Sequence, residues 1–128
     1  MINKKRLISL AQKLISIDSQ NPPGDEYEIA GFVKDYLIKL GIKAKNYNFK
    51  KRRSNVIACI QGKNKSRSLL ITPHLDTVPH GKNWKTSPFV SKITRGRVYG
   101  LGATDCKGNL ACRLPLQSVA TNPKLCLL

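Results

Sequence analysis

Two almost continuous aliphatic segments, 56–60 and 69–71, constrain the fold of this chain more than any other feature. Each segment is short. The polar connection 50–53 precedes the first segment, and the polar connection 61–67 separates it from the second. Strands without polar and apolar alternation are typical of a sheet that is covered on both faces. The pattern therefore predicts an α/β fold, with helices above and below a sheet.

Two amphipathic helices are predicted before these strands. In 7–17, the apolar side chains recur at helical spacing, and the turn-forming segment 18–24 ends the helix. A second helix is predicted from Asp25, an N-cap candidate, to Gly41, a C-terminal stop. Further strands are predicted at 42–49, 55–60, 68–72, 90–94 and 97–99.

The composition is strongly basic and otherwise ordinary. The net charge is +16 over 128 residues, and all of the excess follows residue 36. No apolar run approaches the roughly 18 residues that span a bilayer, so no membrane partner is predicted. The four cysteines contain no C-x-x-C pair, and no leader peptide with a cleavage site is recognisable. We therefore expect reduced thiols and a cytoplasmic protein.

One basic run is a candidate surface for nucleic acid. It consists of Lys50, Lys51, Arg52 and Arg53. A cluster of cations attracts polyanions through the phosphate charge. However, no aromatic residues interleave with the run to stack on bases, and solvated turns explain the same charges. Nucleic acid is accordingly the less favoured partner.

Two polar turns carry the candidate chemistry. The first follows the strand 68–72 directly and contains His74 and Asp76, which project to the same side of an extended backbone. The second presents Asp105 within the glycine-rich segment 99–109. An imidazole beside a carboxylate can bind a metal ion, or the carboxylate can orient the imidazole that does so. A single histidine after a strand is more often structural, so neither turn is diagnostic alone.

Together the two turns resemble a known family of metallopeptidases. The His-x-Asp-x-Val-Pro turn from His74, the intervening Trp84 and Pro88-Phe89, and the Asp-x-Lys-Gly turn from Asp105 are its motifs. The family includes acetylornithine deacetylase, succinyl-diaminopimelate desuccinylase, aminoacylase and glutamate carboxypeptidase. The likeness extends back through the loop 21–24 and covers about residues 3–112. The resemblance implies an α/β fold, the N-terminal part of a three-layer zinc-peptidase catalytic domain. In it, two helices pack on a mixed sheet, and the domain is incomplete.

The resemblance also implies an activity and roles for particular residues. Such enzymes use two divalent ions, zinc or cobalt, to hydrolyse amide bonds of small N-acylated amino acids or peptides, and the full-length enzymes are expected to be homodimers. By this resemblance, His74 is a metal ligand and Asp105 the carboxylate that bridges both ions. Asp76 is the catalytic-site residue that fixes the tautomer of His74. His80 has no counterpart role.

The chain departs from that family after the second turn. No Asp, Glu or His follows Asp105, whereas the family takes a general-base glutamate and further ligands from that region. Pro115 falls where a helix interior is expected. We therefore predict that residues 1–112 are the N-terminal part of the catalytic domain and that 113–128 are a divergent or truncated tail.

Two functions from different classes remain open at this point. The first is a metal-dependent hydrolase of N-acyl-amino-acid or peptide amide bonds, present as a fragment that is inactive alone. The alternative is a small basic protein, not an enzyme, that binds RNA or another polyanion through the surface of residues 50–67, which includes the basic run 50–53. The substrate, deacetylase against desuccinylase, is left undecided.

Overall fold

The computed structural model describes residues 3–64, 66–116 and 124–127. Three helices lie in this part of the chain: α1 Lys4–Ile15, α2 Tyr27–Lys39 and α3 Lys107–Leu116. The strands are β1 Ala44–Lys50, β2 Arg53–Ile60, β3 Ser68–Ile71, β4 Lys92–Thr94, β5 Arg97–Tyr99 and β6 Lys124–Leu127. None of these helices is long and apolar enough to cross a bilayer.

The main sheet is mixed, which confirms the predicted α/β class. Its strand order is β1-β2-β6-β3. β2 pairs antiparallel with both β1 and β6, whereas β3 pairs parallel with β6. β4 and β5 form a separate antiparallel hairpin. Because β3 and β6 run in the same direction, their carboxyl ends share the edge from which the His74 turn leaves.

The hydrophobic core lies on one face of this sheet. Val56 and Ala58 of β2 point into it and pack with Leu14, Val33 and Leu110 of the three helices. The side chains of Leu69 and Leu70 in β3 are 52% and 57% exposed. The prediction that both faces are covered is therefore wrong for the described part of the chain. An aliphatic run identifies a strand, but it does not supply the layer that would cover the second face.

The prediction of two helices omitted α3, and the N-cap prediction for α2 is wrong. Glu26, not Asp25, is at the N-cap position, and no side-chain cap bond forms there. The Asp25 carboxylate instead accepts a hydrogen bond from Arg52 Nε at 2.7 Å. A charged partner distant in sequence thus replaces the local backbone donor.

Helix α3 runs through the position that we expected to break it. Pro115 is the penultimate residue of the helix, so its missing N–H affects only the last turn. The predicted boundary at residue 112 falls inside this helix, and β6 lies between β2 and β3 in the sheet. Residues 117–123 are outside the described part, and a divergent origin for 113–128 stays a prediction.

Candidate metal centre

Two loops that are distant in sequence form one unit at the edge of the sheet. Thr77 donates its N–H to Ser19 O at 2.9 Å, and Asn21 donates its N–H to Thr77 O at 2.8 Å. The Ser19 hydroxyl donates to Leu75 O at 2.8 Å. Ser19 is fully buried, so water does not compete for these bonds. The turn after β3 is therefore held in place by the loop after α1.

A continuous chain of polar contacts runs through this unit. Asn21 Nδ2 donates to Asp76 Oδ2 at 3.0 Å. His74 Nδ1 lies 3.0 Å from Asp76 Oδ1, and His74 Nε2 lies 2.9 Å from Asp105 Oδ1. The structure thus brings together all three residues selected from the sequence as site residues. Their roles as ligands or positioning groups stay predictions.

The carboxylates of Asp76 and Asp105 raise the pKa of His74. Burial lowers the pKa of His74, but hydrogen bonds with Asp105 and Asp76 outweigh it, and the net pKa is raised. Burial raises the pKa of Asp76, yet hydrogen bonds from Asn21 and His74 outweigh it and hold the pKa below its usual value. A protonated His74 can donate from both ring nitrogens, whereas a divalent ion at Nε2 would displace one of those protons.

Gly102 allows the second turn to approach the first, and Gly108 allows the second turn to pack closely against its own backbone. Gly102 has φ +76°, and a Cβ there would lie 2.7 Å from the Thr77 methyl carbon. A Cβ on Gly108 would lie closer to the carbonyl oxygen of Ala103 than real Cβ atoms come. Any larger residue at either position would move the turn that carries Asp105.

Asp105 faces an open cleft. The cleft has a volume of about 300 Å³, and its walls include Asn21, Thr77 and Gly102. The Asp105 side chain is 82% exposed, whereas that of Asp76 is 30% exposed. Asp76 is therefore placed behind the imidazole, and Asp105 is accessible to a ligand from solvent.

Beneath the site, Lys107 is the largest fully buried side chain among the described residues. It is 1% exposed, and its Nζ donates to Ile17 O at 2.6 Å. Burial lowers the pKa of Lys107 from 10.5 to about 8, against the opposing attraction of Asp18. The contact joins the first turn of α3 to the loop that follows α1.

The lowered pKa of Lys107 predicts that the free energy of unfolding depends on pH. Between pH 8 and 10.5, the unfolded chain still binds a proton that Lys107 has lost in the folded state, so the free energy of unfolding rises with pH. This rise amounts to about 3 kcal/mol. Urea unfolding of the wild type and of Lys107→Met across this window isolates the effect, because the other titrating groups are common to both. Parallel stability curves for the two proteins would contradict it.

Two residues near the predicted ligands were missed by sequence reasoning. Asn21 belongs to a loop that was recognised as a turn and as part of the family likeness, but no local pattern indicates that its amide meets Asp76. Cys106 was treated as an ordinary thiol, but its Sγ–H donates to His74 O at 3.1 Å. Burial and the nearby Asp105 raise the pKa of this thiol. Adjacency to Asp105 in the sequence is the signal that could have selected Cys106.

The remaining candidates are less well placed. The backbone N–H of His80 donates to Gln20 Oε1, and its ring packs edge-on against Phe89, with centroids 6.0 Å apart. In the basic run, Arg52 is paired with Asp25. Arg53 binds both oxygens of the buried Glu26 at 2.7 and 3.0 Å. Two of the four cations selected as a polyanion surface are therefore engaged within the protein.

Comparisons with known proteins identify the family that this chain resembles. Residues 70–117 match Peptidase family M20/M25/M40. N-Formyl-4-amino-5-aminomethyl-2-methylpyrimidine deformylase of Halalkalibacterium halodurans is 31% identical over 88% of this chain and 27% of the relative. A probable succinyl-diaminopimelate desuccinylase of Staphylococcus aureus is 31% identical over 84% of this chain and 26% of the relative. The chain thus spans about a quarter of the length of these relatives.

Solved structures show the same fold. An M20 family metallo-carboxypeptidase from Sulfolobus solfataricus superposes with a TM-score of 0.80 and 30% identity. The match covers 94% of this chain and 30% of that one. Human carnosine dipeptidase 1 shares the fold with a TM-score of 0.79 at 18% identity, over 97% of this chain and 31% of that one. Sequence and fold together therefore show that this chain resembles the N-terminal part of the M20 metallopeptidase family.

Proposed function

We propose that this chain supplies part of the metal site of a hydrolase that cleaves N-acyl-amino-acid or peptide amide bonds. The observation that carries the proposal is the position of the His74 ring, held between Asp76 at 3.0 Å and Asp105 at 2.9 Å. In this proposal His74 and Asp105 are metal ligands, and Asp76 is the residue that positions His74.

The donor set suits zinc or cobalt. Imidazole nitrogen and carboxylate oxygen are common ligands of both ions. When bound, such an ion supplies Lewis acidity toward the carbonyl oxygen of the scissile amide. The exposed carboxylate of Asp105 has two oxygens, which suits it to bridge two ions. The residues present therefore fit the metal requirement that the resemblance implies.

Asp76 controls the proton on His74. By accepting from Nδ1–H, its carboxylate keeps one proton on that nitrogen, and the lone pair of Nε2 is then available on the side of Asp105. Asn21 binds the other oxygen of Asp76 and prevents the carboxylate from rotating away. The contacts from Asn21 to Asp76 and from Asp76 to His74 thus select the Nδ1–H tautomer of His74 before any ion binds.

Replacement of Asn21 by leucine tests whether its contact with Asp76 supports metal binding. The variant retains the backbone N–H that binds Thr77 O but loses the amide donor to Asp76, so zinc affinity should fall about tenfold. The matched control is Gln20→Leu, which removes a side-chain anchor of the same loop without touching Asp76. Competition titration with a chromophoric chelator measures both. Equal losses in the two variants would indicate loop anchoring alone.

The names of the relatives support an N-acyl substrate, since one is a deformylase and another a desuccinylase. Because the chain spans about a quarter of their length, the complete activity needs groups from outside these 128 residues. We expect the chain alone to be inactive. We expect the protein to be located in the cytoplasm, and we expect the full-length enzyme to be a homodimer.

Calorimetric titration with Zn²⁺ and Co²⁺, followed by assays on N-acetyl, N-succinyl and N-formyl amino acids, tests the proposed function. The expected result is metal binding with hydrolysis at the buffer background. Hydrolysis that disappears in His74→Ala would overturn the expectation of inactivity and retain the metal site. Failure to bind either ion would overturn the proposal itself.

The net charge of +16 favours a second candidate, a binding protein for RNA or another polyanion. Lys50 and Lys51 are exposed, although Arg52 and Arg53 are paired within the fold. Binding to a single-stranded RNA should then weaken steeply with salt, and replacing both lysines by alanine should reduce the salt slope by about 1 to 2. Salt-insensitive or absent binding would exclude this candidate.

A further inference from the structure

Cys106 is a buried thiol that lies beside the two predicted ligands. It immediately precedes α3 and is only 7% exposed. Its Sγ lies 3.1 Å from the carbonyl oxygen of His74. The thiol therefore lies next to one ligand in space and next to the other, Asp105, along the chain.

The three side chains form a cluster of metal donors. One donor atom each from His74, Asp105 and Cys106 lies within 4.8 Å of the other two. Zinc bonds are about 2.0 to 2.3 Å long, so two donors on one tetrahedral ion are about 3 to 4 Å apart. A shortening of these separations by about 1 Å would bring the donors to that spacing. Within the described part of the chain, no other three His, Cys, Asp or Glu residues meet this criterion.

We propose that Cys106 is a third ligand, which together with His74 and Asp105 holds one zinc or cobalt ion in this chain. This inference rests on the proposed function and adds a sulfur donor to it. As the sulfur–metal bond forms, the S–H bond breaks, the proton passes to solvent, and the hydrogen bond to His74 O is given up. Three protein donors leave one position of a tetrahedral ion open, as in catalytic zinc sites.

The sulfur donor predicts a preference among metals. Thiolate ligands favour soft or borderline ions such as zinc and cobalt, whereas Mg²⁺ and Mn²⁺ prefer oxygen. A site of imidazole, carboxylate and thiolate should therefore bind Zn²⁺ and Co²⁺ in preference to Mg²⁺. A site of His74 and Asp105 alone would discriminate less.

Absorption spectroscopy with Co²⁺ alone as the probe tests the assignment. Thiolate coordination gives a charge-transfer band in the near ultraviolet, which oxygen and nitrogen ligands do not give. We expect this band in the wild type and in Cys112→Ser, the control for an exposed thiol on α3. It should be absent in Cys106→Ser, with Co²⁺ affinity at least tenfold lower. Circular dichroism of each variant checks that the fold is retained.

A measurement on the unaltered chain removes any dependence on the folding of a variant. X-ray absorption of the zinc-loaded wild type should show one sulfur at about 2.3 Å from the ion. Binding that depends on His74 but shows neither sulfur nor a charge-transfer band would overturn the role of Cys106 and leave the proposed function intact. Absence of any His74-dependent binding would overturn both.

Discussion

Replacement of His74 by alanine is expected to lower the affinity for zinc by at least about 100-fold. The ring is the only imidazole among the described residues that contacts Asp76 and Asp105, at 3.0 and 2.9 Å. Its removal leaves two carboxylates without the group that holds them together. Chelator competition measures the loss, and His80→Ala should bind zinc like the wild type, because His80 contacts Gln20 and Phe89 instead.

Replacements of the two carboxylates should differ in how much zinc affinity they cost. Asp105→Asn removes a ligand charge and should resemble His74→Ala. Asp76→Asn keeps an acceptor oxygen near Nδ1 and should cost about 10- to 100-fold, the usual effect of a residue that orients a ligand. Zinc affinity in His74→Ala equal to that of the wild type would show that the ion binds elsewhere, for example at exposed cysteines.

The second large effect is on stability. Leu110 of α3 is 0% exposed and contacts the core formed by α1, α2 and β2. Leu110→Ala should lower the free energy of unfolding by about 2 to 5 kcal/mol, through lost burial and the remaining cavity. Because small domains are stable by only about 5 to 15 kcal/mol, this loss removes a large share of the stability.

The matched control is the same substitution on the exposed side of the molecule. Leu70 of β3 is 57% exposed, so Leu70→Ala should change the free energy of unfolding by less than about 0.5 kcal/mol. Urea denaturation monitored by circular dichroism compares the two variants. A loss at Leu70 as large as that at Leu110 would mean that the exposed face of β3 is covered in solution.

Much of the fold follows from patterns within one element. Apolar spacing predicted α1 and α2 to within a few residues, since tertiary packing only reinforces a stripe that the sequence already carries. The site residues His74, Asp76 and Asp105 were selected because each polar turn interrupts an apolar context and because the two turns match one family's motifs. Their proximity at 2.9 to 3.0 Å is a structural result.

Contacts between distant residues were beyond such patterns. The pairing of Arg52 with Asp25 spans 27 positions, and no periodicity predicts it. Asn21 meets Asp76 across 55 positions. Coverage of the sheet was misjudged for the same reason, because the hydrophobicity of β3 does not specify a partner for its second face.

The loop contacts at the site also have a consequence for folding. The centre joins Asn21 to Asp76 across 55 positions and His74 to Asp105 across 31, so it has high contact order and forms only after two long segments of chain have closed. An ion that binds only the closed chain then stabilises it in proportion to the logarithm of its free concentration. Zinc bound at this centre would then stabilise the fold in addition to any role in hydrolysis. The melting temperature of this chain would rise with the free zinc concentration.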